Sequence, residues 1–238
     1  VVDYVRKKFQ VEKIYLMGMS FGTLIGTKLA HQYPEKFHAY IGLDQITHLI
    51  ECQKAGMEHL LEHTKRSTRD RRRLAELKKI GLPPFFGKGK EKYSDMIKFA
   101  KGYFYESNQA KGPNIIGLVK GALISPDYSL KDMYHSLVTA PKFNIVECDY
   151  LQEELMSTDL NLIKELAMPV YIIQGRHDLT TNFSLAQEFY ERLRAPAGKE
   201  FIVLEHSAHI PNEQDFKLFL NFMRKLPKVG AAQTTDIL

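Results

Sequence analysis

The sequence predicts an α/β protein, in which a mostly parallel sheet is flanked by helices and interrupted by a largely helical insertion. Three observations carry this prediction. Helix, strand, helix and strand alternate within residues 1–43, the order that builds a parallel sheet. From 46 to 167 the pattern changes to helices and loops. The first rhythm then returns at Pro169. The predicted organisation is a first core segment at 1–45, a helical cap insertion at 46–167, a second core segment at 168–228 and a tail at 229–238.

Residues 1–10 read as the end of a helix, with Val1, Val2, Val5 and Phe9 near one face. Residues 13–17 form a short strand, because Ile14, Tyr15 and Leu16 suit a buried sheet. Residues 21–33 are helical, and Pro34 stops them. Residues 37–43 are a second strand. In the insertion, 57–80 reads as one long charged helix or a broken pair, and 90–105 as another helix. Glycine and proline make 112–126 look looser, and 129–138, 152–156 and 160–166 are shorter helical candidates. Residues 170–174 are an intensely apolar strand, 182–193 a helix, 199–204 a strand and 213–226 the last helix.

The chain of 238 residues carries a net charge of +5. Between Lys65 and Lys79 lie eight basic residues and two acidic ones, so this segment holds the whole excess. The basic residues are Lys65, Arg66, Arg69, Arg71, Arg72, Arg73, Lys78 and Lys79, set against Asp70 and Glu76. A single basic helix without a nucleic-acid-binding module reads as a solvated face, so no nucleic-acid partner is expected. No apolar run reaches membrane-spanning length, and no membrane partner is expected. The two cysteines, Cys52 and Cys148, have neither disulfide-framework nor metal-ligand spacing. No metal or cofactor is expected, and a reducing, cytoplasmic setting is.

The chemistry is expected at Ser20, the centre of Gly18-Met19-Ser20-Phe21-Gly22. A nucleophile that leaves a strand and enters a helix sits on a sharp turn, where side chains two positions away on either side would collide with backbone. The backbone N–H of Phe21 then points at developing negative charge. A serine hydroxyl needs a base, and the base needs an orienting acid. Asp178 follows the strand at 170–174 and His209 follows the strand at 199–204, both at strand ends where open sheets bind ligands. His206 is the rival base, Asp44 the rival acid, and His177 a neighbour of Asp178.

GMSFG, GRHD and HSAH, in this order around a helical insertion, resemble the alpha/beta-hydrolase fold. HQYPEKFHAYIGLDQ, ELKKIGLPPF and PVYIIQGRHDLTT look like the proline iminopeptidase-like branch of its serine hydrolases. The resemblance implies hydrolysis of a small peptide or ester through an acyl-enzyme, without a cofactor. Ser20 is then the nucleophile, Asp178 the acid, His209 the general base and the Phe21 N–H one oxyanion donor. Aminopeptidases of this branch hold the substrate ammonium with cap carboxylates, for which Glu147, Asp149, Glu153 and Glu154 are candidates. A carboxylesterase, or a non-catalytic interaction protein with the same fold, is the alternative. The family's glycine-rich oxyanion segment is absent upstream of Ser20, and only one strand precedes it. The sequence is therefore expected to be a fragment or processed piece, with a complementing N-terminal segment or chain as a partner.

Overall fold

The structure is a computed structural model that describes residues 1–63, 70–85, 90–106, 115–140, 143 and 148–228. Lys65, Arg66, Arg69, Glu147 and the tail at 229–238 lie outside the described residues. The elements are α1 (Val2–Phe9), β1 (Ile14–Met19), α2 (Phe21–Gln32), β2 (Phe37–Leu43), α3 (Leu49–His63), α4 (Asp70–Ile80), α5 (Lys90–Glu106), α6 (Ile115–Ile124), α7 (Leu130–Tyr134), α8 (Asp149–Ser157), β3 (Val170–Gly175), α9 (Phe183–Arg192), β4 (Lys199–Leu204) and α10 (Glu213–Lys225). The sheet order is β1-β2-β3-β4, and every pairing is parallel.

The central strands β2 and β3 are largely apolar on both faces because both faces are covered. Side chains alternate across a strand. Tyr40, Val170 and Ile172 enter one core with Leu24 of α2 and Phe189 of α9. Ile41, Leu43 and Ile173 enter the opposite core with Phe219 of α10. A third core joins the helical stretch to the sheet's loops. In it, Met57 and Leu60 of α3, Leu77 of α4 and Met96 of α5 pack with Leu179 and Ala208. Leu179 and Ala208 are the sequence neighbours of Asp178 and His209, so the helices rest on the loops that carry those two side chains. The approach is close: a Cβ on Gly56 of α3 would lie 2.7 Å from the carbonyl oxygen of Leu179.

The helical stretch between β2 and β3 departs from expectation in two places. Residues Ile115–Ile124 form a helix, α6, where glycines suggested a looser segment. Its run IIGLVKGALI has enough apolar and helix-forming residues to outweigh two glycines, which cost about 1 kcal/mol each against alanine. Conversely, 160–166 holds only one 3-10 turn, Leu160–Leu162, before the chain extends toward β3. The segment read as one helix or a broken pair takes in the end of α3 and all of α4, and residues 64–69 between them lie outside the described residues. On α4, Leu77 is buried while Arg72, Lys78 and Lys79 are exposed, the solvated charged face that the sequence suggested. No helix among the described residues is long and apolar enough to cross a membrane.

Candidate active site

Ser20 stands where β1 ends and α2 begins. Its N–H donates to Leu43 O at 2.9 Å, extending the sheet pairing by one residue, before the backbone turns at φ 49° and ψ −117°. A positive φ on a non-glycine residue is backbone strain. The turn is held by Thr23, whose hydroxyl and amide both donate to Ser20 O, at 2.5 and 2.8 Å. Phe21 opens α2, so its N–H belongs to the first turn, where amides have no intrahelical acceptor.

The two flanking glycines are not equivalent. A Cβ on Gly18 would lie 2.5 Å from Gly22 O, so the fold requires glycine there. A Cβ on Gly22 would meet nothing within 4 Å among the described residues, which corrects the expectation that both positions are sterically forced. Gly18→Ala is accordingly expected to cost about 1–3 kcal/mol of stability. Gly22→Ala is expected to be neutral or to stabilise α2 by up to ~1 kcal/mol. Chemical denaturation of the two variants checks the difference.

Asp178 leaves the carboxyl end of β3 in a tight turn and is fully buried. Its Oδ1 accepts from the amides of Thr180 and Thr181 at 2.7 and 3.1 Å. Its Oδ2 accepts from the Thr181 hydroxyl at 2.5 Å and from Gln174 Nε2 at 3.0 Å. The Nδ1 of His209, in the loop after β4, lies 3.0 Å from the same Oδ2. Burial alone would raise the pKa of this carboxyl. The charge of His209 and the hydrogen bonds from His209 and Thr181 outweigh it, so the pKa falls below the ordinary carboxylate value. A carboxylate held in this way fixes Nδ1 of His209 as a donor and leaves Nε2 as the basic nitrogen.

The rivals are placed differently. His206 is half exposed and sits 3.6 Å from Asp215, not beside Asp178. Asp215 is buried and accepts from the His206 amide at 3.0 Å and the Ser207 hydroxyl at 2.6 Å, so it anchors the loop that carries His209. His177 lines a cavity of about 160 Å³ with His59, His63, Arg176, Asp178 and Phe183; neither Ser20 nor His209 lines it. Asp44, after β2, does approach the pair. One oxygen or nitrogen of each of Asp44, Asp178 and His209 lies within 4.8 Å of the others.

Sequence reasoning missed the residues that position Asp178. A buried hydrogen-bond chain runs from the Thr27 hydroxyl to Tyr40 OH (2.9 Å) and on to Gln45 Oε1 (2.8 Å). The Gln45 backbone N–H donates to Gln174 Oε1 (2.9 Å), and Gln174 Nε2 donates to Asp178. A glutamine at the end of an otherwise apolar strand was the available signal. Among the cap acids, Asp149 and Glu153 are exposed, and Glu154 pairs with Lys28 of α2 at 2.9 Å.

A family model described as alpha/beta hydrolase fold matches residues 1–216. The chain belongs to this family. It is 23% identical over 228 residues to the Bacillus subtilis (strain 168) protein named "Probable aminopeptidase YbaC", covering 94% of this chain and 68% of that protein. Among solved structures, VinJ superposes with a TM-score of 0.55 at 14% identity, over 94% of this chain and 68% of its own. The proline iminopeptidase of Mycobacterium smegmatis superposes with a TM-score of 0.54 at 16% identity, over 94% of this chain and 70% of its own. At these identities the structural likenesses speak to the fold alone.

Proposed function

We propose that this alpha/beta-hydrolase-fold chain is a serine hydrolase that works through an acyl-enzyme, with an aminopeptidase activity that releases an N-terminal residue such as proline. One observation carries the reading. His209 Nδ1 lies 3.0 Å from a fully buried, multiply hydrogen-bonded Asp178, and both leave the same end of the sheet as the strained turn at Ser20. In this reading His209 takes the proton of the Ser20 hydroxyl as its oxygen attacks the scissile carbonyl. The oxyanion is stabilised by the Phe21 N–H. His209 then protonates the leaving amine, and water repeats the sequence to free the acid. Residues 46–167 serve as the cap that selects the substrate, a reading supported by the packing of α3, α4 and α5 on the Asp178 and His209 loops. The likeness to a protein named as an aminopeptidase supports a peptidase over other hydrolases.

A carboxylesterase is the second reading. Of the three described candidate cap acids, Asp149 and Glu153 are exposed and Glu154 is paired with Lys28 of α2, which favours a substrate without an ammonium. Turnover of prolyl anilide, of its N-acetylated form and of a short-chain ester separates the two. The aminopeptidase reading predicts cleavage of the free amine at least 10-fold faster than of the blocked form, about 1.4 kcal/mol of ammonium recognition. Equal rates on the two anilides, with the ester faster than both, would favour the esterase.

A further inference from the structure

The side chain of Asp44 has no place in the mechanism above, yet it is built into the site. It is fully buried. Its backbone is at φ 53°, a conformation most side chains avoid, and its N–H is fixed to Ile173 O at 2.9 Å. Neither carboxyl oxygen has a hydrogen-bond partner among the described residues. The Gly175 amide is near enough to exert a weak pull, but not in hydrogen-bond geometry. A charge on a buried carboxyl in that condition is strongly disfavoured. Its titratable surroundings are Asp178 from the loop after β3 and His209 from the loop after β4. Beyond Asp178 stands Cys52 of α3, whose thiol is pushed up to about 11 by burial. Two carboxyls that share one site cannot both ionise cheaply. The five hydrogen bonds to Asp178 stabilise its charge, whereas none stabilises a charge on Asp44.

We propose that Asp44 is a second carboxyl of the His209 site: it stays protonated beside the Asp178 carboxylate, and it supplies the negative charge behind His209 when Asp178 cannot. Asp44 is thus a positioning residue, and its role rests on His209 being the general base. In the native protein His209 faces a single negative charge, so its basicity is not raised by two. Burial first, and then the charge of Asp178, raise the Asp44 pKa well above the ordinary value. Removing the Asp178 charge removes the second cause and lets Asp44 ionise at lower pH. The proton leaves to solvent, and the Asp44 carboxylate then faces the imidazolium of His209.

The test combines infrared spectroscopy with Ser20 reactivity toward a fluorophosphonate, on the full chain and on Asp44→Asn, Asp178→Asn and the double variant. The wild-type minus Asp44→Asn difference spectrum at pH 7 should contain the carbonyl stretch of a protonated carboxylic acid. Absence of that band overturns the proposal whether or not the protein is active. Asp178→Asn should lose on the order of 10²-fold in labelling rate, and the double variant on the order of 10⁴-fold, the loss expected when no acid remains. The residual rate of Asp178→Asn should rise with pH more steeply than that of the double variant, because both share the deprotonation of His209 and only the single variant also ionises Asp44. Equal losses in the single Asp178 variant and the double variant would overturn the reserve role. A loss in Asp44→Asn as large as in Asp178→Asn would also overturn it, because Asp44 would then be the working acid. No labelling of the wild type would remove the general-base assignment and the reserve role with it, while the infrared band would still report the Asp44 proton.

The same proton has a sign in stability. The folded state holds it to higher pH than the unfolded chain does, so Asp44 costs stability as pH rises above the ordinary carboxylate range. Asp44→Asn should flatten that decline in Tm, which also confirms that the variant folds.

Discussion

Ser20→Ala is expected to lower kcat on the order of 10⁶-fold against whichever acyl substrate the protein turns over, while circular dichroism reports an unchanged fold. Losses of that size follow when the nucleophile of a Ser-His-acid set is removed, because the remaining groups have no covalent step to assist. The expectation rests on geometry. The turn at φ 49° and ψ −117° is strained and is secured by two bonds from Thr23 to Ser20 O, neither of which uses the serine side chain. Removing the hydroxyl leaves those bonds in place. A drop of less than 10-fold would make Ser20 a turn residue and not a nucleophile.

The second large effect separates the two histidines of the HSAH loop. His209→Ala is expected to match Ser20→Ala, since the hydroxyl then has no base and the two act as one unit. His206→Ala is expected to change kcat by less than about 3-fold, the small effect usual at an exposed position. Its ring is half exposed and faces Asp215, while its amide, which anchors the loop through the same carboxylate, survives the substitution. Steady-state kinetics on both variants decides it. A reversed order would move the base to His206 and leave the His209–Asp178 pair a structural bridge.

The sheet and the approach to Ser20 were legible in the sequence because they depend on local patterns. Residues 37–43 and 199–204 match β2 and β4 in full, and 13–17 falls short of β1 by two residues at its end. Apolar runs of that length, bounded by Pro34 and Pro169 and by glycines, have few other structures open to them. The GRHD and HSAH segments were legible for the same reason: each follows such a strand directly. What stayed hidden depends on contacts between distant residues. That Gly18 is forced and Gly22 is not turns on where the first turn of α2 folds back. That Gln174 and Thr181 hold Asp178 depends on a turn whose side chains could equally face solvent. Asp44 could be read only as a rival to Asp178, because sequence spacing cannot say that two carboxyls share one histidine while only one is hydrogen-bonded. In α6 the glycines weighed too heavily against a run of Ile, Leu and Val that still makes a helix.

The most direct measurement is the site of covalent capture. The full chain is treated with a fluorophosphonate, its intact mass is recorded, and the adduct is mapped by peptide sequencing. A single adduct on Ser20, lost in His209→Ala and retained in His206→Ala, is the predicted result. No adduct on a folded chain, or an adduct on another serine with Ser20 unmodified, would contradict the assignment of Ser20 as a nucleophile activated by His209 and Asp178.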